Sequence, residues 1–174
     1  MGYDSRSLGP MHLSANSNYE PQRTNNFQVE IYNLPGAGTE QIMLALSDFS
    51  LPNITNDPLE VGHGNSNVKF AGRAQFQGMD TLSVVDWITT DMEAIINAWH
   101  KQVYDPETDK IGWASQYKKD GMVTEFGPDG TFFRNWKIKG IWPSGVNYGG
   151  TLSHEGNEVK KIDMSLTYDK AYRA

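Results

Sequence analysis

Residues 159–169 read VKKIDMSLTYD. Ile162, Met164, Leu166 and Tyr168 alternate with Asp163, Ser165, Thr167 and Asp169. A period of two puts one set on each face of an extended chain, so the segment predicts a half-buried β-strand. The same signal recurs upstream. In FQVEIYN, 27–33, Phe27, Val29 and Ile31 face one way and Gln28, Glu30 and Tyr32 the other. EQIMLALSDF (40–49), LEVGHG (59–64), NVKFAGRAQF (67–76), TLSVVDWIT (81–89), QYKKDGMVTEF (116–126) and FFRNWKIKGIW (132–142) read as further strands. LPGAG (34–38), Gly64-Asn65 and Gly-Pro-Asp-Gly (127–130) supply turns, SLPNITND (50–57) a loop.

One segment has a different period. In DMEAIINAWHKQVYD, 91–105, Met92, Ile95, Ile96, Trp99 and Val103 form a single stripe at helical spacing. Thr90 or Asp91 can cap it, Glu93 suits the positive end of the dipole, and Pro106 ends it. The following ETDKIGWAS reads as a loop. The chain is therefore expected to be mainly antiparallel β with one α-helix.

IKGIWPSGV, 138–146, breaks the alternation at Gly140 and turns at Ser144-Gly145, with Trp142 beside Pro143 at the corner. A large aromatic at such a place either packs on its own subunit or meets another copy.

Composition narrows the classes. The 174 residues amount to one domain, with enough length to bury a core. Hydrophobic residues make up 38%, aromatics 11%, and cysteine is absent, so there is neither a disulfide framework nor thiolate chemistry. No run approaches the roughly 18 apolar residues of a membrane span, and MGYDSRSLGP lacks the apolar core of a secretory signal. A formal charge of −6 argues against a protein that reads nucleic-acid sequence through a basic patch. Residues 1–26 are polar and aperiodic around SANSNYEPQRTNN and read as an arm, with the domain spanning 27–174.

Catalytic and metal-binding patterns are missing. His12, His63, His100 and His154 have neither the i, i+4 spacing of a helical metal site nor cysteine partners. There is no GxSxG elbow and no P-loop. Asp105, Glu107 and Asp109 lack the glycine and final glutamate of an EF-hand loop, so DPETDK reads as a solvated loop. No cofactor, no metal and no enzymatic activity are expected.

Six stretches, in order, resemble the tail tube proteins of contractile-tailed bacteriophages. They are NNFQVEI (25–31), VKFAGR (68–73), LSVVDWITTDMEAIINAW (82–99), QYKKDGMV (116–123), WKIKGIWPSGV (136–146) and KIDMSLTYD (161–169). Order and spacing agree over about residues 25–170. The resemblance implies two packed antiparallel sheets, sandwich- or barrel-like, with one flanking helix. It implies rings of six copies, each lending about four strands to an inner barrel, stacked into a tube inside a contractile sheath. Twenty-four strands ~4.8 Å apart and tilted ~40° close at roughly 45–50 Å across, leaving room for a duplex. The partners implied are the sheath, baseplate or tube-initiating proteins, and viral DNA passing without sequence-specific binding; no membrane is involved. The location implied is the virion tail, assembled in the host cytoplasm. Trp142, Pro143, Phe70, Arg73 and Tyr19 are the expected contacts between subunits or rings. Two alternatives stand beside this one. One is the ring protein of a type VI secretion or other contractile injection system. The other is a carbohydrate-binding β-sandwich using Trp87, Trp113, Trp136 and Trp142 as stacking platforms.

Overall fold

The computed structural model describes residues 21–36, 39–77 and 80–174. Three elements come first: strand β1 (Phe27–Ile31), helix α1 (Thr39–Ala45) and strand β2 (Leu46–Phe49). A long hairpin follows, β3 (Asn53–His63) and β4 (Ser66–Gln77), then β5 (Asp80–Val85) and helix α2 (Met92–Val103). Two short strands, β6 (Tyr104–Asp105) and β7 (Lys110–Ile111), lead to helix α3 (Ala114–Tyr117). The chain closes with β8 (Lys119–Phe126), β9 (Phe132–Asn147), β10 (Lys161–Thr167) and β11 (Lys170–Arg173).

Sheet order is β1-β8-β9-β10-β5-β2, all antiparallel, with β11 also on β9. The axis is β9. Its residues 142–147 pair with β10, and residues 136–139 pair with β11 in the continuing register. β9 and β10–β11 thus form one long ribbon. Beyond β9, strands β8 and β1 flank the first half; beyond β10, strands β5 and β2 flank the second. Each half contributes an apolar face, and the two close over a common core. Val29, Ile31, Val123 and Ile138 come from one half and Leu82, Val84, Ile162, Met164 and Leu166 from the other. Helix α1 adds Ile42 and Ala45; α2 adds Met92, Ile95, Ile96 and Trp99.

The ribbon bends at Gly140, which has φ +69°. A Cβ there would collide with the Asp169 carboxylate. That carboxylate pairs with Lys118 at 2.7 Å, and Asp120 accepts from the Gly140 amide at 3.3 Å. Asp120 also pairs with Lys139 at 2.6 Å, and this bond holds its carboxyl below the usual range. Gly140→Ala is expected to cost about 1–3 kcal/mol through left-handed strain and the displaced Asp169; a urea-denaturation midpoint unchanged from the parent would refute it.

The expected turn at Ser144-Gly145 is instead continuous strand to Asn147. Pro143 has no amide hydrogen to give, and a register shift between Ser165 and Leu166 falls opposite it. The Ser144 hydroxyl donates to the Ser165 carbonyl at 3.0 Å.

The expected strand over 40–49 is also corrected: 39–45 is helix and only 46–49 is strand. Ile42 and Ala45, three residues apart, are buried, while Leu44 is exposed. A short continuous apolar run fits a buried strand and a buried helix equally well. Here Glu, Gln, Met, Leu and Ala, all strong helix formers, decide it. The loop expected over 50–57 becomes strand from Asn53, and the loop after α2 contains β6, β7 and α3. Helix α2 is the flanking helix the sequence announced. Asp91 caps it by accepting from the Ala94 amide at 2.9 Å, and Pro106 lies beyond its end.

Candidate assembly surface

The β3–β4 hairpin carries five exposed large apolar residues, Ile54, Leu59, Val61, Val68 and Phe70. Among the described residues its two strands pair only with each other. Leu59 stands opposite Phe70 and Val61 opposite Val68. Opposed residues in an antiparallel pair share a face, so the four form one strip. They are 58, 54, 47 and 42% exposed respectively. The alternate positions are polar or small: Glu60 bridges to Lys69 at 3.0 Å, and Pro58 faces Ala71. The hairpin is therefore amphipathic, with its apolar face in water. Single exposed apolar residues are ordinary, but a contiguous strip marks an interaction site.

A bulge between Asn56 and Pro58 sharpens the hairpin's twist, and a Cβ on Gly72 would strike the Asp57 carbonyl across it. Gln75 donates to Asp57 nearby. The root is anchored in the body. The Asn53 amide donates to the buried Tyr168 hydroxyl at 3.1 Å, and Phe76 meets the Tyr168 ring edge-to-face at 6.2 Å. The hairpin is thus tied to the body at its root and exposed beyond it.

The sheet's two ends are a second feature. Among the described residues β1 pairs only with β8 and β2 only with β5. Each leaves an outer row of backbone groups able to pair with another chain. β1 is stiffened by a polar row: Gln28 donates to Glu30 at 2.8 Å and the Tyr32 hydroxyl to Glu30 at 2.7 Å. Burial, then the hydrogen bond and charge of Glu30, push the Tyr32 phenol up to about 12. A folded value above the unfolded one near 10 means the contribution is intact below pH 10 and disappears as pH rises through about 12. Subunit stability is expected to fall over pH 10–12, and less steeply in Tyr32→Phe; identical slopes for the two in denaturation across that range would refute the assignment.

Of the residues picked out from the sequence, Phe70 and Arg73 come together on the hairpin, both exposed. Arg73 makes no ion pair among the described residues. Trp142 and Pro143 lie in the body: Trp142 is half-buried with its ring edge-to-face on Tyr117 at 5.6 Å, and Pro143 is buried. Tyr19 lies outside the described residues. Sequence reasoning expected contacts along the 40–76 strands but did not single out Leu59, Val61 and Val68, which the structure leaves exposed. Their signal was the alternation on both sides of Gly64-Asn65, which reads identically for a core hairpin. Trp87 and Trp113 are exposed at opposite ends of α2, while Trp136 is half-buried. Among the described residues no helix is long and apolar enough to cross a membrane.

The bent antiparallel double layer with its flanking helix and hairpin recurs in proteins of contractile injection systems. Solved structures share this fold. The anti-feeding prophage tube-terminating cap matches with TM-score 0.67 at 18% identity, covering 89% of this chain and 91% of that one. The sheath–tube complex of the extracellular contractile injection system PVC, in its extended state, matches with TM-score 0.66 at 15% identity, covering 99% of both chains. Sequence carries the assignment further. Residues 23–171 match the family described as T4-like virus tail tube protein gp19, and the chain belongs to that family. Tail tube protein gp19 of Enterobacteria phage T4 is 26% identical over 156 residues, covering 84% of this chain and 88% of that protein. The protein is thus a structural tail tube component of the virion.

Proposed function

We propose that six copies close into a ring, that rings stack into the hollow inner tube of a contractile tail, and that viral DNA leaves through the lumen. A sheath surrounds the tube, a baseplate complex starts it, and assembly takes place in the host cytoplasm. The role is structural, without catalysis. The observation that carries this reading is the hairpin. A hairpin with a water-exposed apolar face costs an isolated subunit solubility, and it gains a purpose once neighbouring copies cover it. The open edges of β1 and β2 support ring closure, since closing a sheet on itself removes its edges. The polar arm, 1–26, and the interface roles of Trp142, Pro143 and Tyr19, belong to this proposal as contacts between copies.

Charge supports passage of DNA. Six copies at −6 bring about −36 to each ring. Acidic side chains on the inner wall would repel the duplex and remove the counterion release that drives DNA binding. A basic inner wall in an assembled tube would overturn this part.

Negative-stain microscopy of the purified chain, with mass by light scattering, tests the whole. Hollow rings or tubes with masses in multiples of six subunits are expected. A monomer that stays monomeric at high concentration and in the presence of purified baseplates would overturn it.

A further inference from the structure

The open end of the double layer holds a cavity of about 430 Å³. Phe27, Glu125 and Arg134 stand side by side across β1, β8 and β9 and form one wall. Phe49 and Leu51, at and just beyond the end of β2, face them from the other layer, and Val123 lies deeper. The cavity is chiefly apolar, with one acidic group in it. Glu125 is 7% exposed. Its Oε2 accepts from Arg134 at 2.8 and 2.9 Å, but its buried Oε1 has no donor among the described residues. A carboxylate oxygen out of water without a donor is costly, and native proteins rarely leave one so. Glu125 lies in the cavity wall, so a small shift of its carboxylate together with Arg134 would present Oε1 to a donor entering there. Arg23 lines the rim, yet it makes no bond to Glu125.

The same chain carries the complement. Phe70 and Leu59 are exposed on the hairpin, and three residues past Phe70 stands Arg73, exposed and with no ion pair among the described residues. We infer that the cavity between Phe27 and Leu51 is the receptor for the hairpin of a second copy, with Phe70 entering between the aromatic walls and the Arg73 guanidinium donating to Oε1 of Glu125. Knob and hole lie on different parts of one subunit, so between copies stacked in one orientation, as the tube reading requires, the contact is heterologous and propagates from copy to copy. Guanidinium is the donor of choice for such a carboxylate: it stays charged, sheds water more readily than an ammonium, and offers several N–H groups. This inference rests on the tube reading above and specifies which surfaces meet.

The chain has no cysteine, so introduced pairs report without background. Phe70→Cys and Leu51→Cys are placed together in one chain, assembled, oxidised and run without reducing agent. A ladder in steps of one 19.5 kDa subunit is expected. If the double variant does not assemble, the two single variants are mixed with excess parent chain, and a crosslinked dimer carrying one of each cysteine is the same positive result. Tubes that form normally but give no ladder and no dimer overturn the inference while leaving the tube reading intact. Failure of the parent chain itself to form rings strikes the tube reading and the inference with it. Met11→Cys with Leu51→Cys is the rival pair: crosslinking there in assembled tubes, instead of through Phe70, gives the cavity to the N-terminal segment and overturns the inference. Arg73→Glu should weaken assembly at least tenfold, and Arg73→Lys should recover part of it; assembly unaffected by Arg73→Glu counts against the donor role.

Discussion

Leu59→Thr combined with Phe70→Thr abolishes tube formation and leaves the subunit folded. The two residues face one another across the hairpin, so both threonines fall on one face as a cross-strand pair, which suits a strand. Neither side chain touches the core: both are more than half exposed, and among the described residues the hairpin pairs only with itself. Subunit stability should therefore shift by no more than about 0.5 kcal/mol. In the assembly the same residues are buried. A fully buried Leu or Phe contributes about 1.5–3 kcal/mol, so removing both costs roughly 3–6 kcal/mol per contact, or about two to four powers of ten in association. Light scattering and microscopy read assembly, and thermal unfolding reads the subunit. Tubes at the parent concentration, or a subunit that has lost its cooperative transition, would contradict this account of the hairpin.

Trp99→Ala has the opposite signature. Trp99 is completely buried on α2, and its indole N–H donates to the Tyr117 carbonyl at 2.9 Å. Truncation empties the space between the helix and β9 and orphans that carbonyl. Large-to-small changes of this kind cost about 3–5 kcal/mol, which for a domain of this size is a fall of roughly 6–20 °C in the midpoint. Trp99→Phe keeps most of the volume and loses the hydrogen bond, so its cost is about 1–3 kcal/mol. Thermal unfolding of the two variants should rank them in that order. Equal midpoints would mean that the hydrogen bond, not the packing, holds α2.

Two segments show how local information succeeds and fails. β10 was legible because Ile162, Met164, Leu166 and Tyr168 bury one face against a single core. Helix α2 was legible for the matching reason: Met92, Ile95, Ile96 and Trp99 are buried at helical spacing, and Asp91 caps the start. EQIMLALSDF was misread because five adjacent apolar residues carry no period, so strand and helix fit equally. What settles it is that Ile42 and Ala45 turn toward one core while Leu44 faces water. On the hairpin, sequence reading singled out Phe70 and Arg73 and placed the 40–76 strands among the expected contacts without resolving which face they present. LEVGHG and NVKF alternate as core strands do, and nothing in their order says that Leu59, Val61, Val68 and Phe70 face water.

By itself the sequence determined the β-rich class, a helix within 91–105, the absence of cysteine chemistry and the net acidity, because each depends on local period or on composition alone. Tertiary structure alone decided that β9 runs unbroken through Trp142-Pro143 and joins both layers, because a left-handed Gly140 can bend a strand as readily as end it. It also decided that Leu59, Val61, Val68 and Phe70 face water, and that among the described residues Glu125 is left one donor short beside an open apolar cavity. Alternation fixes which side chains share a face; what that face meets depends on where the rest of the chain goes, and here none of the described residues buries it.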